Sequence, residues 1–320
     1  MNSGFVFRSL QHGLAVLLFG LVSLSCTESR KVIRPPLPVP SVIDTHVHLW
    51  DPTRPEGIDW PDENLPRIHR PILPAEFLEV ARRNGVTGAI VVEASGRIED
   101  NHWILDLVED HPDFFRGFVG HLAVGTPAFA ENLARLSADP RFRGIRMRSL
   151  PENGLDEAAF ADLALLAENK LSLDLLIRNV SLADAATIAE RLPQLTIVLD
   201  HVAGAHHQGQ AMSAEWTAGV RRAASFSNVN CKVSGLFEHS WEIPAPKDPA
   251  HYLPALEVVQ EAFGEDRLIF GSNWPVIRHG EGTYDELLSI LATAFAASDP
   301  AAVEKLFSKN AERVYGLSTP

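Results

Sequence analysis

Eight times between residues 42 and 272 a short apolar, β-branched run is followed by a stretch of helical spacing rather than by a hairpin turn. The runs at 42–48, 88–94, 117–122, 144–148, 172–177, 196–201, 229–234 and 268–272 are the predicted strands. The predicted helices follow at 74–84, 102–111, 127–137, 156–168, 182–191, 213–225, 250–263 and 283–297. Strands separated by helices pair in parallel through right-handed crossovers, and eight such units in about 250 residues specify an α/β chain closed into a (β/α)8 TIM barrel. The competing architecture is an open doubly wound sheet, but no G-x-G-x-x-G follows the first strand. Residues 300–316 add a C-terminal amphipathic helix with Val303, Leu306, Phe307, Ala311, Val314 and Tyr315 on one face, expected to cover the barrel exterior.

The 28 basic and 41 acidic residues leave a net charge of -13, which repels a phosphate backbone and argues against nucleic acid as a partner. Arg8 is the only charge in residues 1–25, and it precedes an apolar run, 14–24, that is too short to span a bilayer. This is the pattern of an export signal. Residues 26–40, with Pro35, Pro36, Pro38 and Pro40, read as a Pro-rich tether, so the barrel occupies 41–320. Cys26 and Cys231 are the only cysteines, and loss or modification of Cys26 leaves no internal disulfide to form. Cys26 directly after the apolar run resembles the lipobox of bacterial lipoproteins, although Ser23 stands where that pattern prefers Leu. The resemblance implies an exported protein of the periplasm or cell envelope, held at the membrane through lipidated Cys26. Ser23 and Ser25 equally suit an ordinary signal peptidase.

In a barrel of this kind chemistry gathers where the strands end. Strand one ends in Asp44-Thr-His46-Val-His48, and a period of two turns His46 and His48 to one side, where two imidazoles can grip one metal ion. Asp44 shares that parity one step deeper and is expected to orient a histidine. Strand two ends in Glu93, strand three in His121, strand four in Arg146-Met-Arg148, strand six in Asp200-His201 and strand eight in Ser272-Asn273-Trp274. A lone histidine is more often a hydrogen-bonded structural residue, the reading given to His69, His111, His239 and His279. For His121, His206 and His207 structural and functional roles are balanced.

Taken together, IDTHVHLWDP at 43–52, GIRMR at 144–148, IVLDHVAG at 197–204, NVNCKVSGL at 228–236, RLIFGSNWPV at 267–276 and FSKNAERVYGL at 307–317 resemble the lactonase-like branch of the amidohydrolase superfamily. That branch includes fuconolactonases and pyrone-dicarboxylate lactonases. The resemblance implies that His46, His48 and His201 face the reaction centre and hold a metal, at most one divalent ion and by preference Zn2+, with metal-free catalysis as the other option. Asn273 replaces the strand-eight Asp that accepts a proton from water in the family, and an amide is no base. Asn273→Asp is accordingly expected to speed hydrolysis. Arg146, Arg148 and Arg178 are expected to grip a carboxylate or sugar hydroxyls, and Glu93 and His121 to contact substrate or replace the missing base. Trp50, Trp60 and Trp274 are expected to wall the site. The implied activity is opening of the lactone of a sugar acid or related carboxylic acid by activated water, with a small molecule as the partner. The alternatives are an amidohydrolase-type decarboxylase and a lapsed barrel that only binds a sugar acid.

Overall fold

The computed structural model describes residues 39–317. Residues 1–25, read as an export signal, Cys26 and the part of the expected tether up to residue 38 lie outside the described residues. Eight parallel strands form one sheet in sequence order: β1 (Ile43–Val47), β2 (Gly88–Val92), β3 (Phe115–Gly120), β4 (Phe142–Ser149), β5 (Ser172–Asn179), β6 (Thr196–Leu199), β7 (Val229–Val233) and β8 (Leu268–Phe270). The edges meet where the Thr45 hydroxyl donates to Phe270 O at 2.7 Å and the His48 N–H donates to Trp274 O at 2.8 Å. The chain is therefore a (β/α)8 barrel.

The helices outside the barrel are α1 (Pro74–Arg83), α2 (Ile98–Leu107), α3 (Phe129–Leu136), α4 (Glu157–Glu168), α5 (Leu182–Arg191), α6 (Ala214–Ala224), α7 (Leu253–Phe263) and α8 (Tyr284–Ala294). Their starts follow from local chemistry. Ser181 and Asp184 form a capping box on α5, as Thr283 and Glu286 do on α8, and Pro74 opens α1 where no N–H is needed. Helix α2 begins four residues before the predicted start. Glu99 and Asp100 fill its first turn, and Arg97 clamps that turn through Asp100 and the carbonyls of Glu56 and Gly57.

Two departures from the predicted layout matter for the site. In β1 the register slips between Asp44 and Val47, so the period of two fails there. Asp44 holds His46 through the main chain. Its carboxylate accepts the His46 and Ser272 backbone N–H groups and the Tyr284 hydroxyl, tying β1 to β8 and α8.

The C-terminal segment also differs from the expected single exterior helix. It comprises α9 (Pro300–Glu304) and α10 (Asn310–Val314), joined by a wider turn at Lys305–Lys309. Ala311, Val314, Tyr315 and Leu317 pack with Ile43, Ile90, Val119, Val198 and Ile269 from the barrel interior. Asn310 donates to Leu268 O, and Arg313 to Asn230 Oδ1, at the first residues of β8 and β7. The segment thus divides its apolar face: Ala311, Val314, Tyr315 and Leu317 plug the end of the barrel opposite the strand C-termini, while Val303, Leu306 and Phe307 join the core shared with the outer helices. Among the described residues no helix is long and apolar enough to cross a membrane.

Candidate active site

Above the aliphatic plug the barrel interior turns polar. Asp174 on β5, Lys232 on β7 and Asp200 just after β6 are all fully buried. The Lys232 ammonium lies 2.6 Å from Asp174 Oδ2, 3.3 Å from Asp200 Oδ1 and 3.3 Å from His46 Nδ1. From below, the Tyr315 hydroxyl donates to Asp174 Oδ2 at 2.8 Å. From above, Arg146 Nε donates to Asp200 Oδ2 at 2.8 Å, and its terminal nitrogen lies 3.3 Å from His201 Nε2. Two carboxylates and two cations thus compensate one another in a site without water contact, the condition under which buried charge is tolerated. Burial alone would raise Asp200, but Lys232, His46 and Arg146 hold it well below the usual carboxylate range. Burial raises Asp174, with Lys232 opposing.

The backbone brings the histidines together at a cost. His201, Val202 and Ala203 take consecutive left-handed conformations with φ of 54°, 50° and 52°, and Asn273 does so at 57°. Two glycines allow the close approach. A Cβ on Gly271 would sit 2.8 Å from His46 Cβ, and one on Gly235 would sit 2.6 Å from His201 Cβ. The His46 ring consequently lies 4.5 Å from that of His201 and 4.9 Å from that of His48, centroid to centroid. Burial holds all three neutral: His46 is lowered to about 3, and His48 and His201 fall well below their ordinary value.

Among the described residues, His46, Asp200 and His201 form the one group that could hold a metal ion, with one donor atom from each inside 4.8 Å of the others. His46 Nε2 and Asp200 Oδ1 are buried without a hydrogen-bond partner, and such open donors fit one divalent ion. The tautomer of His46 sets its part. A proton on Nδ1 faces Asp200 and bares Nε2 to a metal; a proton on Nε2 lets Nδ1 accept from Lys232 and turns Nε2 into a free donor. His48 stands outside this group. Its Nδ1 meets Val92 O at 2.8 Å, and its Nε2 meets Asn273 Oδ1 at 3.1 Å.

A cavity of about 510 Å³ opens over this floor. His48, Arg146, Arg148, Arg178, His201 and Asn273, all singled out from the sequence, line it, and Trp60, Ile177 and Val276 add apolar wall. Glu93 stands behind it, 3.4 Å from Arg148 Nε and 3.9 Å from an Arg146 terminal nitrogen, with its pKa pushed up to about 7 by burial against the pull of both arginines. His121 faces a neighbouring cavity that shares Arg148 and Arg178. Trp274 is not a wall of the site: its ring packs in the core 5.0 Å from Phe77 of α1, because the chain turns at Asn273 and sends the indole outward. Trp50 is buried as well, its indole N–H donating to Ile68 O and Arg70 O.

Several residues in or under the cavity are not apparent as site residues in the sequence. His239 and His279, read as structural, line it, as does His206. Glu238, beyond the end of β7, lines it too and accepts a hydrogen bond from Asn273 Nδ2. Lys232 and Asp174 carried a usable signal. Asn230, Lys232 and Ser234 alternate along β7, and a lysine on an otherwise inward face marks a buried ion pair. Glu238 lies in an irregular loop and carried none.

The sequence pattern of the Amidohydrolase family matches residues 43–317. An L-fucono-1,5-lactonase of Burkholderia ambifaria is 31% identical over 287 residues, spanning 87% of this chain and 96% of its own. An L-fucono-1,5-lactonase of Burkholderia multivorans is 29% identical, across 87% of this chain and 97% of its own. A crystal structure of an amidohydrolase from Burkholderia multivorans with bound zinc superimposes with a TM-score of 0.77 at 26% identity, covering 87% of this chain and 100% of that one. With the histidines on β1 and after β6, and with a family match running through nearly all of the barrel, this chain belongs to the amidohydrolase family.

Proposed function

We propose that the chain is a lactonase that opens the cyclic ester of a sugar acid, with L-fucono-1,5-lactone as the first substrate to test. The observation that carries this reading is the floor of the cavity: three neutral histidines and Arg146 beneath a partly apolar chamber. An ester carbonyl is uncharged until water adds to it, and donors fixed in a dry site stabilise the oxyanion that then forms more than they stabilise the substrate. Arg146 is held by Asp200 and His201, so its remaining N–H groups are aimed before substrate arrives. His46, in the tautomer with its proton on Nε2, adds a second donor. A Zn2+ ion held by His46, Asp200 and His201 would supply Lewis-acid polarisation of the carbonyl and a lowered pKa for water.

Arg178 is exposed at the rim and makes no ion pair among the described residues, and it lines both the main cavity and its neighbour. Such a cation suits the hydroxyls or carboxylate of the acid portion. Arg178→Ala is expected to raise KM more for a lactone bearing a carboxylate than for a neutral sugar lactone; an unchanged KM for both would return Arg178 to a solvated role. The reading as a whole is tested by acid release from a panel of aldonolactones, L-fucono-1,5-lactone included. Ring opening no faster than the spontaneous rate for every member would sink it.

The export signal at 1–25 and the lipobox-like Cys26 support placement in the cell envelope. Cys26→Ala is then expected to move the protein from the membrane to the soluble fraction, since a covalent acyl chain supplies the attachment. Equal partitioning of both forms would refute lipidation.

A further inference from the structure

The family's proton acceptor on strand eight is an Asn here, and the structure shows what stands against it. Asn273 Nδ2 donates to Glu238 Oε1, Glu238 Oε2 is buried without a hydrogen-bond partner, and Glu238 belongs to the wall of the cavity. We infer that Glu238 is the general base of this enzyme, a carboxylate supplied by the loop after β7 in place of the one missing from β8. The inference rests on the lactonase reading above.

The two residues suit each other. An amide N–H at 273 stabilises an ionised Glu238, whereas an Asp there would set a second negative charge against it. A carboxylate thus stands one hydrogen bond away from Asn273. The step balances without any co-reactant. Glu238 Oε2 takes a proton from water as the water oxygen bonds to the lactone carbonyl carbon, and the carbonyl π pair moves onto its oxygen. The tetrahedral adduct then collapses, the ring C–O bond breaks, and the leaving alkoxide takes the proton back from Glu238. Burial pushes the Glu238 carboxyl up to about 7, the range in which a base is both ionised and basic enough at neutral pH. The titratable groups sharing its cavity are His48, His201, His206, His239 and His279, with Arg146, Arg148 and Arg178 as the cations, and Glu238 also acts electrostatically on Tyr252. His48 and His201 titrate far below neutrality and His239 near 4.

The geometry also reverses the expectation for Asn273→Asp. Two adjacent carboxylates share a proton and ionise in separate steps, so the variant moves the base's titration upward and slows hydrolysis at neutral pH.

The test is the pH profile of kcat/KM for the lactone that the wild type opens fastest, run with Glu238→Gln. The wild type should lose rate as pH falls through about 7. The folded E238Q protein should be slower by roughly 10²–10⁴-fold above that pH, with the limb gone. Thermal denaturation supplies a readout independent of turnover. The folded-state pKa of Glu238 lies above its unfolded value, so its protonated form favours folding at low pH. That advantage is lost as pH rises from the ordinary Glu range through about 7, and the Tm of E238Q should therefore exceed that of the wild type only at higher pH. Retention of either the rate or the limb in E238Q overturns the assignment while leaving the lactonase reading intact. A wild type that opens no lactone overturns both. Should E238Q fail to fold, Glu238→Asp decides: a slowed rate with the limb present supports the base, and the wild-type rate refutes it.

Discussion

Lys232→Met will cost about 3–5 kcal/mol of folding stability, the usual penalty for removing one partner from a buried ion pair. The reason is the company the ammonium keeps. Lys232 is fully buried between Asp174 and Asp200, and its removal leaves Asp174 without a cation and Asp200 with Arg146 alone. Methionine fills nearly the same volume, so the loss reports charge rather than a cavity. The urea midpoint measures it. Asp174→Asn combined with Lys232→Met should recover part of the loss, because the charge that Lys232 compensated is then removed with it. A midpoint unchanged by Lys232→Met would show that the ion pair is not the element that fixes the barrel floor.

His46→Ala is expected to reduce kcat by roughly 10²–10³-fold, the range seen when one donor to a developing oxyanion is removed. His46 links several parts of the floor: it meets Lys232 and Asp200 through Nδ1 and packs against the His48 and His201 rings, and its Nε2 is buried without a hydrogen-bond partner. The same substitution removes one of the three candidate metal donors, and two donors do not make a structural or catalytic zinc site. Bound divalent metal in the wild type, measured on purified protein, should not exceed one ion per chain and should fall in His46→Ala. Two ions per chain would contradict the single donor group, and a fully active His46→Ala would remove this residue from the chemistry.

Much of this site is legible in the amino-acid sequence. The strands betray themselves by short β-branched runs, and a (β/α)8 barrel then dictates that residues closing those runs converge. His48, Arg146, Arg148, His201 and Asn273 do converge on one cavity, with the His46 ring packed against two of them. Expectations that needed an unbroken period failed. The register breaks between Asp44 and Val47, and the Asp44 carboxylate meets the His46 backbone N–H, while the left-handed Asn273 carried Trp274 into the core. The C-terminal helix was readable as amphipathic, but amphipathicity names no partner, and the last part of its apolar face entered the barrel while Val303, Leu306 and Phe307 packed outside it. Glu238 was beyond reach for a different reason. A carboxylate in an irregular loop looks solvated in sequence, and only its bond from Asn273 and its unpartnered buried oxygen distinguish it.

The lactonase reading stands or falls on water attacking a lactone carbonyl inside this cavity. The decisive measurement incubates the purified protein with L-fucono-1,5-lactone in heavy-oxygen water and follows the aldonate by mass spectrometry. The predicted result is saturable formation of product above the spontaneous rate, with a single heavy oxygen in the carboxylate group and none on the hydroxyl freed from the ring. No product above the spontaneous rate, or label on that hydroxyl, would contradict it.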